Sequence, residues 1–225
     1  MIRALIFDFD GLIIDTETPL IDVWEDMHQR AGLAYQRSTA IGLIGHVETD
    51  FDPWAGFGPT SDRAALEAEH QRLYRARVVQ LPVLPGVLDC LREAKTRGLL
   101  LGVASSSSHR HVDGHLGRLG LLPYFDVIRC RDDVKATKPA PDLYLAAIRE
   151  LNVAPQEAIA FEDSHPGTTA AKRAGLRCVA IPNASTRHHD FSAADLRLGS
   201  LAERPLAELL RHFSDPAQDN MSTNS

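Results

Sequence analysis

Residues 2–7, Ile-Arg-Ala-Leu-Ile-Phe, form a mostly apolar run that stops at Asp8. A short run of this kind suits a strand buried on both faces of a parallel sheet, so the pattern predicts a first strand that delivers Asp8 to its C-terminal end. Similar runs recur at 99–104, 158–161 and 177–181, each separated from the next by helix-like sequence. Amphipathic stretches at 87–97, closed by Gly98, at 141–151, opened by Pro141, and at 166–174, closed by Gly175, supply those helices. Strands alternating with helices predict an α/β fold built on a doubly wound, Rossmann-like parallel sheet.

Residues 17–80 break this rhythm. The stretches 17–31 and 61–79 read as long helices, with no strand between them and only the loop-like 51–60 segment. The expectation is a helical cap inserted after the first strand. Leu81-Pro82-Val83-Leu84-Pro85-Gly86 then returns the chain to the sheet, its prolines stiffening the re-entry. The reading places an α/β core at 1–15 and 83–225 and the helical cap at 16–82. The tail from about 214 is polar and aperiodic and is expected to be disordered.

Composition narrows the class. With 225 residues and 44% hydrophobic content the chain can fill one good core and a smaller second unit. No run approaches the roughly 18–20 apolar residues of a membrane helix, and Met1 leads directly into strand-like sequence without a signal peptide. A cytoplasmic protein with no membrane association is expected. The net charge is −6 and the basic residues are scattered, so a nucleic-acid footprint is lacking. Cys90, Cys130 and Cys178 are far apart and read as free, buried thiols rather than a disulfide or zinc framework. Nothing in the sequence demands an oligomer; a monomer is expected and a dimer left open.

The chemistry gathers at the strand ends. Asp8 and Asp10 leave the first strand two residues apart, so their side chains start on one face, and Gly11 then allows the backbone to turn. The second run ends in Ser105-Ser106-Ser107-Ser108, hydroxyls and amides at a strand-to-helix turn that can cradle an anion. Lys138 sits in Lys138-Pro139-Ala140-Pro141, where prolines fix the local chain. The third run ends in Glu162-Asp163-Ser164, with Gly167 near the start of the next helix. Each alone has an ordinary reading: an acid punctuating a strand, a serine N-cap, a solvated lysine. Together they place carboxylates, hydroxyls and one ammonium at the edge where open α/β sheets bind ligands. A carboxylate cluster needs a cation or raised pKa values, and hard oxygen donors favour Mg²⁺. The ligand expected is a small phosphorylated metabolite.

The ordered motifs Asp8-Phe9-Asp10-Gly11-Leu12-Ile13-Ile14-Asp15-Thr16-Glu17, Ser105, Lys138-Pro139-Ala140-Pro141 and Glu162-Asp163-Ser164 resemble the haloacid dehalogenase-like hydrolase superfamily. Glu162-Asp163-Ser164 with Gly167 and Ala170-Ala171 looks like its β-phosphoglucomutase-like branch, which includes many sugar-phosphate phosphatases. The resemblance implies that Asp8 attacks phosphorus to form an aspartyl phosphate, while Asp10 serves as general acid and base. It implies Mg²⁺ held by Asp8, the backbone carbonyl of Asp10 and Asp163, with Glu162 nearby directly or through water. Ser105, with Ser106, and Lys138 would bind the transferring phosphoryl group. An acid at position 10 argues against a dehalogenase, since a halide leaves without a proton. The lack of any Lys in 16–82 argues against a phosphonate-cleaving relative.

The choice within that branch lies between hydrolysis and the mutase reaction that interconverts glucose 1-phosphate and glucose 6-phosphate. A β-phosphoglucomutase carries a cap His after the first motif and a cap Arg for the second phosphate; here Leu20 and Glu48 stand where they would fall. Arg30, Arg37, Arg72 and Arg75 remain as cations elsewhere in the segment, and the expectation is a phosphatase for a sugar or polyol phosphate. Thr16, Glu17, Gly45 and His46 are the candidates for substrate contact from the cap, although His46 reads first as a surface or cap-packing histidine and Trp54 as cap packing. His109, His111, His115, His188 and His189 read as solvated.

Overall fold

The computed structural model describes residues 1–42 and 52–214. The chain forms, in order, β1 (Ala4–Phe7), helices α1 (Glu17–Arg30), α2 (Arg37–Gly42), α3 (Arg63–Val78) and α4 (Val87–Thr96), then β2 (Leu100–Ala104), α5 (His109–Arg118), β3 (Val127–Arg129), α6 (Asp142–Leu151), β4 (Ala158–Glu162), α7 (His165–Arg173), β5 (Arg177–Ala180), β6 (Leu196–Arg197) and α8 (Leu206–His212). The six strands make one parallel sheet in the order β3-β2-β1-β4-β5-β6. This is the doubly wound α/β architecture the alternating pattern predicts.

Period-two alternation explains why both faces of the sheet are apolar. From β1, Leu5 and Phe7 enter a core with Val87, Leu91 and Ala94 of α4, Val112 and Leu116 of α5, and Leu206 and Leu209 of α8. Ala4 and Ile6 point the other way, into a core with Leu143, Ala147 and Ile148 of α6 and Ala170 and Ala171 of α7. Phe7 stacks on Phe161 of β4 with ring centroids 4.9 Å apart. Burial of such a ring contributes on the order of 1.5–3 kcal/mol, which anchors the two central strands that end at the candidate residues Asp8 and Glu162.

β1 is also the point where the winding reverses. Along the chain the strands run outward from β1 through β2 to β3, then resume on its other side with β4, β5 and β6. Ligands of open α/β sheets bind outside the carboxyl ends of the strands at such a switch point.

Between β1 and α4 the chain is helical. α1 packs on both α3 and α2, and Val23, Met27 and Trp54 form a small separate apolar cluster with Trp24, Phe57, Leu66, Leu73 and Tyr74 against it. Trp54 is thus a packing residue. α2, β3, β6 and α8 have no counterpart among the predicted elements. Cys90, Cys130 and Cys178 are free and buried, as expected. Among the described residues no helix is long and apolar enough to cross a membrane. Gly45, His46 and Glu48 lie outside the described residues, as do residues 215–225 of the predicted tail.

Candidate active site

The first motif folds as a tight turn. Asp8 accepts from the Phe9 amide at 2.7 Å and its own amide donates to Phe161 of β4. Gly11 follows with φ of 76°, in the left-handed region that favours glycine. A Cβ at Gly11 would stand 2.3 Å from Asp163 Oδ2, so the position also keeps the two carboxylate-bearing loops close.

Asp8, Asp10, Glu17, Ser105, Ser106, Lys138 and Asp163 line one cavity of about 230 Å³ at the C-terminal edge of β1, β2 and β4. Lys138 is buried, its Nζ 2.7 Å from Asp8 Oδ1 and 2.7 Å from Glu162 Oε1. Burial alone would lower its pKa, but the two carboxylates more than offset this and raise it, so it is a fixed cation. Glu162 also accepts from the Tyr144 hydroxyl on α6. Its Oε2 lies against α7, where a Cβ at residue 167 would stand 1.9 Å away, so Gly167 is the residue that makes room for this carboxylate.

Asp8, Glu162 and Asp163 each offer an oxygen within 4.8 Å of the others, and all three are buried. Burial first, and then neighbouring negative charge, raises the pKa of Asp8 and of Asp163, with Lys138 only partly offsetting it. Glu162 Oε2 is buried without a hydrogen-bond partner. Three hard oxygen donors facing one another with a single ammonium, and one of them carrying an orphaned atom, fit a divalent cation of the Mg²⁺ type and do not fit zinc, which prefers His and Cys.

Asp10 faces a different set of groups. Its Oδ2 accepts from Ser107 Oγ at 2.6 Å, and its Oδ1 accepts from Thr16 Oγ1 at 2.7 Å and lies 2.8 Å from His111 Nε2. Burial alone would raise its pKa, but His111, Ser107 and Thr16 outweigh burial and lower it. The carboxylate of Asp10 therefore stays out of the three-acid cluster. His111 corrects the reading of the histidines as solvated: it is half-buried, edge-on to Phe9, and its pKa is raised because Asp10 outweighs the cost of burial. His109 likewise sits between Asp113 and Asp133, at 3.1 and 2.8 Å. For Asp10 and Asp133 the cause of the misreading is topological, since they reach α5 from other turns of the chain, whereas Asp113 lies on α5 itself, four residues from His109.

Of the remaining candidates, Ser105 is buried and its Oγ accepts from the Ser107 amide, while Ser106 is exposed at the cavity rim. Thr16 is buried against Asp10. Glu17 lines the cavity and burial pushes its carboxyl up to about 7. Sequence reasoning missed Asn183, whose Nδ2 donates to Asp163 Oδ2 at 2.7 Å and to the Gly11 carbonyl at 3.2 Å. It follows β5 by three residues, so attention to the end of that strand would have found it.

The family model for haloacid dehalogenase-like hydrolases matches residues 5–181. The YhcW protein of Bacillus subtilis is 42% identical over 224 residues, covering 95% of this chain and 99% of its own length. Hexitol phosphatase B of Escherichia coli is 32% identical over 220 residues, covering 93% and 97%. Among solved structures, CbbY from Rhodobacter sphaeroides in complex with phosphate superposes with a TM-score of 0.72 at 33% identity, covering 90% of this chain and 96% of that one.

Proposed function

The chain belongs to the haloacid dehalogenase-like hydrolases and is a phosphoric monoester hydrolase, and from that premise we propose that it cleaves a small sugar or polyol phosphate through an aspartyl phosphate on Asp8. The observation that carries this reading is the cavity at the switch point of the sheet, lined by Asp8, Lys138 and Asp163, with the buried Glu162 behind it paired to Lys138. Hexitol phosphatase B adds support for the substrate class.

In the first step Asp8 attacks phosphorus and the ester P–O bond breaks. The leaving oxygen takes a proton from Asp10, which draws on the proton that His111 Nε2 shares with its Oδ1. In the second step water attacks the phosphoryl group, Asp10 accepts its proton, and orthophosphate leaves with the Asp8 carboxylate restored. The hydrogen bonds from Ser107 and Thr16 hold the Asp10 carboxylate toward the leaving-group side throughout. Lys138 and the Ser105–Ser106 turn bind the phosphoryl oxygens. Asp8, Asp163 and the Asp10 carbonyl would hold Mg²⁺, with Glu162 nearby, and such an ion would supply positive charge to neutralise the phosphoryl oxygens. The helices between β1 and α4 serve as the lid, with Glu17 on its inner edge.

Asp8→Asn tests the mechanism, because the amide is nearly isosteric but a poor nucleophile. Turnover of a panel of sugar and polyol phosphates should fall by about a thousandfold or more with the melting temperature little changed. Phosphatase activity retained in this variant would refute the assignment of Asp8. With β-glucose 1-phosphate and a bisphosphate primer, the product should be free phosphate, and glucose 6-phosphate would point to the mutase instead.

A further inference from the structure

The three carboxylates at the switch point are not held alike. Asp8 is held by Lys138 and the Phe9 amide, and Glu162 by Lys138 and the Tyr144 hydroxyl. Asp163 is buried as well, yet among the described residues no cation stands within ion-pair distance of it. From those residues its side chain accepts one hydrogen bond, donated by Asn183 Nδ2 at 2.7 Å.

Asn183 stands three residues past β5, in a turn built around its own side chain. Its Oδ1 accepts from the Ser185 amide at 2.7 Å and the Thr186 amide at 3.1 Å, and Thr186 Oγ1 accepts from the Asn183 amide at 3.1 Å. Ser185 and Thr186 are both buried. An asparagine that closes such a turn is ordinary, and the turn uses only Oδ1 and the main chain. With Oδ1 pinned by two amides the side chain is fixed in one sense, and Nδ2 is left for other partners. Its two N–H bonds serve three acceptors outside the turn: Asp163 Oδ2, the Gly11 carbonyl at 3.2 Å and Glu17 Oε2 at 3.3 Å. These acceptors come from the loop after β4, the first-motif turn and the first residue of α1. A Cβ at residue 11 would stand 2.5 Å from Nδ2, so the glycine there also admits this approach.

Asn183 is absent from the lining of the reaction cavity and borders instead a neighbouring one of about 200 Å³, together with Gly11 and Leu84. It can therefore act on the reaction only through the groups it holds. An amide suits that place because it donates to a carboxylate without adding charge. A lysine would compete with a bound cation, and an acid would repel Asp163.

We propose that Asn183 is the positioning residue of Asp163: its amide fixes the carboxylate where a divalent cation requires it, and so sets the affinity of the three-acid cluster for that ion. Partners that hydrogen-bond a ligating carboxylate typically govern metal affinity or activity by roughly 10–100-fold. The inference rests on the reading of Asp163 as a ligand of Mg²⁺.

The test is calorimetric titration of the metal-free protein with Mg²⁺, for the wild type, Asn183→Ser and Asn183→Ala. Asn183→Ser keeps a hydroxyl for the amides of the turn but is too short to reach Asp163, whereas Asn183→Ala removes both functions. The Mg²⁺ Kd should rise by about tenfold or more in both variants. Turnover of the best ester in the sugar and polyol phosphate panel, at a Mg²⁺ concentration below the wild-type Kd, should fall in parallel, and excess Mg²⁺ should recover most of it. A smaller rise in Kd in a variant that melts like the wild type overturns the proposal, as does a loss of turnover that excess Mg²⁺ does not recover. If the wild type binds no Mg²⁺, the reading of the cluster fails and this inference with it. If the Kd rises as expected but no ester is hydrolysed even by the wild type, the phosphatase reading fails and the positioning role stands. Should neither variant fold, the wild type supplies the answer through the NMR signals of the Asn183 side-chain amide. Those signals should shift on addition of Mg²⁺, and signals that stay in place would overturn the role.

Discussion

Gly167 shows how much of this site depends on a residue with no side chain. It sits in the first turn of α7, where Ser164 caps its amide, and the Glu162 carboxylate occupies the space its Cβ would fill. The nearest clash would be 1.9 Å, with the side chain of a residue held by both Lys138 and Tyr144. Gly167→Ala should therefore displace Glu162, loosen Lys138 and cost activity by about tenfold or more, together with roughly 1–3 kcal/mol of stability from overpacking. Steady-state kinetics and thermal unfolding of the variant check both effects, and a variant with wild-type kcat would show that Glu162 can move without consequence. At this scale the sequence was most informative where function and strand ends coincide. Asp8, Asp10, Ser105, Ser106 and Asp163 line one cavity, as their positions after apolar runs suggested, and Lys138 joins them from its proline-fixed turn. It misread His111 as solvated and was silent on Tyr144, because a contact formed across about a hundred residues, or between a helix and the next strand, leaves no local spacing to read.

The elements were legible in proportion to the apolar face each one buries. β1, β2, β4 and β5 are central or flanked on both sides and read as clear apolar runs, whereas β3 has three residues ending in Arg129 and β6 only two. Edge strands this short carry no period. α2 escaped for a related reason, since Arg-Ser-Thr-Ala-Ile-Gly mixes β-branched residues and glycine without a helical stripe. α5 is the element where charge matters most. His109 at its first position lies between Asp113 and Asp133, and although burial works against it, these carboxylates raise its pKa. A His whose folded pKa is raised stabilises the fold fully below its ordinary value and loses that contribution as pH climbs through the folded value. The wild type should therefore melt above His109→Gln by roughly 2 °C near pH 6, a modest figure because the ring is about one-third exposed, and the difference should shrink as the pH rises above the ordinary histidine range. Melting curves of the two proteins across that range decide it; a gap that is constant with pH would assign the effect to packing.

At the scale of the whole molecule, the sheet concentrates negative charge at its switch point, and among the described residues Lys138 is the one buried ammonium against it. Asp8, Glu162 and Asp163 come from two different strands, and Asn183 beyond β5 and the glycine turn at Gly11 hold Asp163 toward the others. With burial and mutual repulsion raising the pKa of Asp8 and Asp163, the free protein is held back in stability at neutral pH by the same groups proposed to form its reaction centre. A divalent cation bound only by the folded state reverses that penalty, stabilising by RT ln(1 + [L]/Kd), about 2.7 kcal/mol at a hundred times Kd. For a chain of this length that corresponds to a rise of roughly 5–10 °C in melting temperature. Mg²⁺ should produce this rise in the wild type and EDTA should remove it. Asp163→Ala, which removes one of the three carboxylates, should melt at or above the metal-free wild type and respond weakly to Mg²⁺. A full Mg²⁺ response in Asp163→Ala would move the cation away from the cluster, whereas a lost response together with lost turnover would tie the stability of the folded sheet edge to the ion its carboxylates require.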